Sequence, residues 1–366
     1  MKRLVQLYAQ GIVIMSDIIT KDSYGVLAPC NAPFNNMYFT VTGQVSPCWK
    51  TVGSCDHWSE ERSISDIWNG QRFTLYRENL KKRIFSTRCI ECKNEMDDEV
   101  WPLARAYEQF PLNDNGYPSL MELELSNKCN LECVMCSGKL SSGIRKNRDK
   151  LPPLAEIYTD AFVDQLKGFI PHLTELRFNG GEPFAQKIVL DICDVVAEIN
   201  PGLKINMATN GTVINKRVRH IMANNNLHLN ISIDSLVPAL YEEIRINGKF
   251  NKLMTNTAIF ADYCNDNKRD LSIMVNPMRN NWEDMVNFVK FSDDINSNLW
   301  FNTILYPKQY AIWNLPTDEL KMVYNKMKDQ LNELDKSLSN YSIFEHLVDN
   351  QIKNWLLDSY LISHPV

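Results

Sequence analysis

The chain has 366 residues, 44% of them hydrophobic and 23% charged, with a formal net charge of −5. That length allows two domains of about 100–200 residues each, and the composition is that of a folded globular protein. The acidic balance, without a long Lys/Arg block, argues against a nucleic-acid partner, and no apolar run reaches the roughly 20 residues of a membrane span.

The chain opens with "MKRLVQLYAQGIVIM", a basic tip followed by an apolar stretch that Gln6, Gln10 and Gly11 interrupt. No small-residue cleavage site follows, so a secretory signal is not expected. Ten cysteines in such a chain point to a reducing compartment, the cytoplasm, where clustered thiols bind metal more often than they pair. Eight of the ten precede residue 137. The first 115 residues read as a small α+β unit. "NAPFNNMYFTVTGQVSPCW" predicts a hairpin turning near Thr42-Gly43, and "ISDIWNGQRFTLYRENLKKRI" predicts helix. Cys30, Cys48, Cys89 and Cys92 are spread through this unit, the last two as a CxxC, with Cys55 in "GSCDHW" as a fifth thiol.

"FPLNDNGYPS" (110–119), rich in Pro, Asn and Gly, marks a boundary. Six strands then alternate with helices: "LMELELS", "LTELRFN", "LKINMATNG", "LHLNISIDS", "LSIMVNPM" and "LWFNTILYP". Strand–helix alternation implies parallel strands joined by right-handed crossovers. The polar and glycine-rich stretches "NGGEP", "TNG", "DS" and "NPM" fall at strand C-terminal ends, the end that carries the site in α/β barrels and open sheets. Beyond Pro316, Leu320, Val323, Met327, Leu331, Leu334 and Leu338 form one apolar stripe, and "SIFE" (342–345) predicts a capping box opening a second packing helix.

The first strand runs into "SNKCNLECVMC", with Cys129, Cys133 and Cys136 in eight residues. Thiolates bind soft metals, and three on a short loop can hold one corner of a cubane cluster while leaving the fourth iron open. A closed zinc site would need a fourth nearby Cys or His, and none lies within 20 residues on either side.

These residues resemble the CxxxCxxC signature of the radical S-adenosylmethionine (SAM) superfamily, and "GGEP", "ATNG" and "SIDS" follow in the family's order over roughly 117–310. Met135 departs from the aromatic residue usual before the third cysteine, while still supplying an apolar cover. The resemblance implies a partial (β/α)6 TIM-like barrel over 116–310, with C-terminal packing helices over 311–366. It implies a [4Fe–4S] cluster on Cys129, Cys133 and Cys136 and SAM as cofactor, bound by Gly180 and Gly181 with Glu182 and Pro183 fixing the turn. Asn210, Ser232 and Asp234 stand where the family binds ribose or carboxylate groups, although each could simply cap a strand end. Arg245 is positioned to pair with the SAM carboxylate or to sit solvated near a helix end. Asn276 stands where adenine contacts are common.

The front thiols resemble the twitch form of the SPASM auxiliary-cluster domain: Cys30, Gly43 and Cys48 in the family's spacing, then the CxxC of Cys89 and Cys92. This implies one auxiliary [4Fe–4S] cluster, although the same thiols could close on zinc. Such domains commonly follow the barrel. Placed before it, this one could still fold back over the barrel mouth. Cys55 is either a hydrogen-atom donor to a substrate radical or a small buried hydrophobe, and His57 reads as a surface residue. Cys193 and Cys264 lie in predicted helices and read as core.

The expected activity is reductive cleavage of SAM to a 5′-deoxyadenosyl radical and hydrogen abstraction from a substrate, with an electron from a low-potential donor such as flavodoxin or ferredoxin. The few residues before Cys30 leave no room for a peptide-recognition domain, which favours a small or sugar-like substrate. The alternatives are modification of a ribosomally made peptide, and a metal-stabilised binding protein without SAM chemistry.

Overall fold

The computed structural model describes residues 29–53, 56–97 and 105–363. Cys55 lies outside the described residues, as does the start of the chain. Among the described residues nine strands form one sheet: β3 (Asp56–His57), β2 (Gln44–Ser46) and β1 (Asn36–Phe39) stand side by side in that order, and six further strands, β4 to β9, follow in chain order beyond β1. Strands β4 (Leu120–Leu123), β5 (Glu175–Phe178), β6 (Lys204–Thr209), β7 (Asn226–Ser232), β8 (Leu271–Val275) and β9 (Asn298–Phe301) run parallel to their neighbours, as the alternating pattern predicts. This is the α/β partial barrel of six strands.

The crossovers are helical because their apolar residues recur at helical spacing. In Lys187–Ile199, Val189, Ile192, Cys193 and Val196 form the buried face. Each such side chain contributes about 2 kcal/mol by leaving water. Strands β6 and β7 alternate strictly: Ile205, Met207, Leu227, Leu229 and Ile231 pack under the helices, while Asn206, Ala208, Asn230 and Ser232 face the other way, half-buried. That second face is the inner wall of the barrel.

The front segment is built into the same sheet. Strands β1 (Asn36–Phe39) and β2 (Gln44–Ser46) form the expected hairpin, and β3 (Asp56–His57) extends it. β1 pairs in parallel with β4, Asn36 opposite Leu120 and Phe39 opposite Leu123. Met37, Phe39, Val45 and Trp58 share one hydrophobic core with the barrel, so the core runs across the division expected near residue 116. The expected front helix is two, Ile64–Trp68 and Gln71–Lys81.

At the other end, Leu320, Val323, Met327 and Leu331 are the buried stripe of helix Thr317–Glu333. The "SIFE" capping box does not form. Helix Tyr341–His346 starts two residues earlier than a Ser342 cap would set it, after Asn340, which makes no side-chain cap. Its amide instead ties the helix to β9, accepting from Leu299 N (2.8 Å) and donating to Ser297 O (2.9 Å).

Candidate functional site

The cysteine loop leaves the C-terminal end of β4 and lines an open cavity of about 790 Å³. Cys129, Cys133 and Cys136 line it from one side, Gly180, Gly181, Ala208, Thr209, Asn210 and Ser232 from the strand ends, and Arg245 from the turn after helix Pro238–Ile244. Sequence reasoning placed all of these on the site except Ala208 and Thr209.

The loop is held by its own polar groups. Leu131 N–H points at the Cys129 sulfur (3.5 Å), and the Asn210 amide donates to Asn130 Oδ1 (3.0 Å) with the Cys129 sulfur 3.9 Å away. Arg148 donates to the carbonyls of Cys133 (3.4 Å) and Cys136. Asp149 accepts from Gly138 N (3.1 Å). Arg148 and Asp149 also line the cavity and were not foreseen, although a basic run a dozen residues past the last cysteine was legible.

Gly180 and Gly181 both have positive φ, 76° and 56°. A Cβ on Gly181 would stand 2.5 Å from Lys128 O, so the turn requires glycine twice over, for its backbone angle and for its closeness to the cysteine loop. Glu182 and Pro183 follow but do not line the cavity. Glu182 is fully buried, and its carboxylate accepts from Thr209 Oγ1 (2.7 Å), Asn210 N (2.7 Å) and Phe184 N (3.1 Å). It ties the turn to the end of β6. Burial pushes this carboxyl up to about 7 despite those hydrogen bonds.

Asp234 and Asn276 also stand behind the cavity. Asp234 is fully buried, with Oδ2 2.8 Å from Arg245 Nε and Oδ1 accepting from Asn276 N (2.8 Å) and Nδ2 (2.9 Å). Asn276 therefore spends its amide on Asp234, not on the cavity. Arg245 is buried, not solvated, and its Nη1 lies 3.8 Å from the Cys133 sulfur. Burial opposes its charge, but the acidic groups around it, Asp234 first and then Cys133 and Tyr241, together more than offset this and keep the guanidinium protonated.

Burial raises the thiols as well, Cys129 to about 11 and Cys133 to about 12, with Cys136 also raised. Such thiols carry protons until a metal displaces them. Among the described residues, no His and no fourth Cys lines the cavity, and no three His, Cys, Asp or Glu side chains converge as a single metal ion requires. Three thiols on one cavity, beside room for a nucleotide-sized molecule, fit a cluster with an open corner and its ligand.

The other four predicted thiols also share one site. Cys30, Cys48, Cys89 and Cys92 line a second cavity, closed by Ala32, Leu80, Phe85 and Tyr107. Burial pushes Cys48 up to about 11 and Cys30 further still. This site is not at the mouth. Cys30 precedes the helix leading into Asn36, and Asn36 Nδ2 donates to Pro47 O (3.0 Å) beside Cys48. The thiols thus stand near the N-terminal ends of β1 and β4, opposite the glycine turn. Parallel pairing of β1 with β4 fixes that end. Between the two sites, Glu122 accepts from Asn36 Nδ2 (2.8 Å) and Tyr107 Oη (2.9 Å). No disulfide joins the described cysteines; Cys193 and Cys264 are buried in the core, and His57 is exposed.

A parallel α/β partial barrel with an open three-thiol loop beside a nucleotide-sized cavity defines a cluster-dependent protein of the SAM-binding kind. Residues 123–292 match the family described as the Radical SAM superfamily, and residues 30–93 the one described as an iron–sulfur cluster-binding domain, SPASM. The chain carries a radical SAM domain, with a SPASM-type domain before it. The cofactors of the two are [4Fe–4S] clusters and SAM. Among curated proteins, it is 25% identical to a GTP 3′,8-cyclase of Limosilactobacillus fermentum over 182 residues, 50% of this chain and 52% of that one. It is 24% identical to the mitochondrial GTP 3′,8-cyclase of Arabidopsis thaliana over 247 residues, 66% and 58% of the two chains. The chain spans about half the length of the curated relatives it matches first. Among solved structures, Streptococcus suis SuiB bound to precursor peptide SuiA aligns at a TM-score of 0.44 and 14% identity, over 67% of this chain and 60% of that one.

Proposed function

We infer that this chain is a radical SAM enzyme that acts on a small, polar, hydroxyl- or amine-bearing substrate in a reducing compartment, the cytoplasm. The observation that carries the reading is the open corner: three thiols, Cys133 buried and Cys129 and Cys136 half-buried, an arginine 3.8 Å from the Cys133 sulfur, and a glycine turn on a single cavity.

When bound, the cluster supplies one electron that splits the carbon–sulfur bond of SAM, giving methionine and a 5′-deoxyadenosyl radical that takes a hydrogen atom from the substrate. Cys129, Cys133 and Cys136 would hold it. Arg245, fixed from behind by Asp234, offers its charge to the methionine carboxylate. The backbone of Gly180 and Gly181 would meet the amino end and the Ser232 hydroxyl the nucleoside, while Asn210, its amide engaged by Asn130 and Thr212, braces the wall beside them. Val134, Met135, Pro307 and Tyr310 give the cavity the apolar part of its lining. Cys30, Cys48, Cys89 and Cys92 would hold the auxiliary cluster.

The inner wall supports the substrate class. Glu124, Asn206, Asn230 and Ser232, half-buried along it, are polar groups of the kind that meet hydroxyls and amines. Its cations are already paired: Arg177 with Glu175 (2.6 Å) and Glu122 (3.6 Å), and Lys204 with Asp270 (2.8 Å). A triphosphate, as in the GTP of the relatives' name, would find no uncommitted positive cluster on these strands. A peptide substrate is the second reading, supported by Tyr306, which lines the cavity while 80% exposed, next to Leu305 in the chain, 60% exposed.

Anaerobic reconstitution tests the proposal. Roughly eight irons per chain, and 5′-deoxyadenosine formed from SAM with dithionite, are the expected results. One or two zinc ions and no nucleoside would leave only a metal-stabilised binding protein.

A further inference from the structure

The proposed activity consumes an electron, and the surface where the cysteine loop approaches solvent has a charge unlike the rest of the chain. Residues 139–150, "KLSSGIRKNRDK", carry five basic side chains and one acidic on a chain whose net charge is −5. They form the segment directly after Cys136, built on helix Ser142–Asn147, which Ser141 caps through Ile144 N. Lys139, Lys146, Arg148 and Lys150 are exposed, and Arg145 is half-exposed. The segment touches the loop itself, since Arg148 donates to two cysteine carbonyls.

Four carboxylates stand near this segment, and Glu124 is the one that lies toward Lys139. Asp149 accepts from Gly138 N. Glu132 accepts from Asn147 Nδ2 (2.7 Å) and Asn247 Nδ2 (3.1 Å). Glu156 is paired with Lys128 (2.5 Å). The five basic side chains still outnumber these carboxylates, so the face keeps a net positive charge, carried outward by the exposed Lys139, Lys146 and Lys150.

We propose that the face formed by residues 139–150 is the docking surface for an acidic one-electron carrier protein, a flavodoxin or ferredoxin type, that delivers the electron to the three-cysteine site. The inference rests on the radical SAM reading above. Electron transfer falls steeply with distance, so the carrier must dock where the cysteine loop lies nearest to solvent. A basic rim on an acidic protein accelerates encounter with an acidic carrier and orients it, while repelling cationic partners. Arg148 couples the two functions, being part of the rim and a brace of the loop.

The test uses the reconstituted holoenzyme with two reductants and two binding probes. Lys146→Glu with Lys150→Glu reverses two exposed charges that touch neither cavity, and Lys290→Glu with Lys321→Glu is the control on other exposed helices. Affinities for flavodoxin and for a plant-type ferredoxin are measured by calorimetry at low and high salt. SAM cleavage is driven once by the reduced carrier and once by dithionite. The rim variant is expected to bind the carrier about tenfold or more weakly, and wild-type binding to weaken with salt. Dithionite-driven cleavage and iron content remain as in the wild type, which shows that the variant is folded and loaded. Carrier affinity unchanged by the rim variant, equal loss in the control, or no binding of either carrier would overturn the proposal. Failure of the wild type to cleave SAM with dithionite would instead refute the underlying enzyme reading, and the calorimetry separates the two cases.

Discussion

The Nε of Arg245 stands 2.8 Å from Oδ2 of Asp234, and the Nη1 of the same guanidinium lies 3.8 Å from the Cys133 sulfur. One fully buried carboxylate thus holds one buried cation against the metal-binding loop. Removing the carboxylate strands the charge. Asp234→Ala is expected to cost about 3 kcal/mol, read as a lower urea midpoint of the cluster-free protein with an unchanged slope. An unmoved midpoint would mean that Arg245 does not depend on Asp234. Arg245→Lys should keep the fold and weaken SAM binding, because a lysine cannot reach both partners.

The glycine turn permits a paired comparison. Gly116 has φ 80° with nothing within 4 Å of an added Cβ, so Gly116→Ala meets only backbone strain of about 1 kcal/mol. Gly181→Ala would put its Cβ 2.5 Å from Lys128 O and 2.9 Å from Ser126 O. It should displace the cysteine loop, with loss of SAM binding by equilibrium dialysis and incomplete iron loading. Equal behaviour of the two variants would show that closeness to the loop is irrelevant.

Glu182 gives the stability a pH dependence. Its carboxyl is raised from 4.5 to about 7, chiefly by burial. In that window the native state keeps a proton that the unfolded chain releases, so unfolding free energy falls as pH rises from 4.5 and levels off above about 7. Glu182→Gln should abolish that slope. It should also carry a pH-independent cost of about 1–2 kcal/mol, because one amide arm then faces a backbone or hydroxyl donor. Urea titrations across the window compare the two proteins.

Cluster assembly should release protons, because burial raises Cys48, Cys129 and Cys133. Iron incorporation into the cluster-free protein is expected to be faster and more complete at about pH 8.5 than at about pH 7, followed by visible absorption. Cys133→Ala should abolish SAM cleavage. Cys92→Ala should retain about half of the iron and still cleave SAM. Cleavage surviving in Cys133→Ala would sink the loop assignment.

Much of this architecture was legible because the strands alternate without interruption: Ile205, Met207, Leu229 and Ile231 against Asn206, Ala208, Asn230 and Ser232. The thiol spacings were local and therefore readable. Side-chain direction was not. Ser232 and Asp234 are two residues apart, yet one lines the cavity and the other turns beneath Asn276, a contact that depends on a segment 42 residues away. The end of the barrel at which the front thiols lie depends on pairing β1 with β4, across about 80 residues of chain. Asn340 illustrates the competition: a residue suited to capping is drawn instead to Leu299 and Ser297 in the sheet.

The ladder between β1 and β4 has a mechanical consequence. Rungs of backbone hydrogen bonds leave no hinge, so the segment bearing Cys30 and Cys48 cannot swing away from the barrel as a tethered lobe would. The distance between the two thiol sites is set by the sheet. On the proposed enzyme reading, a substrate enters past the cavity rim, where Tyr306 projects into solvent.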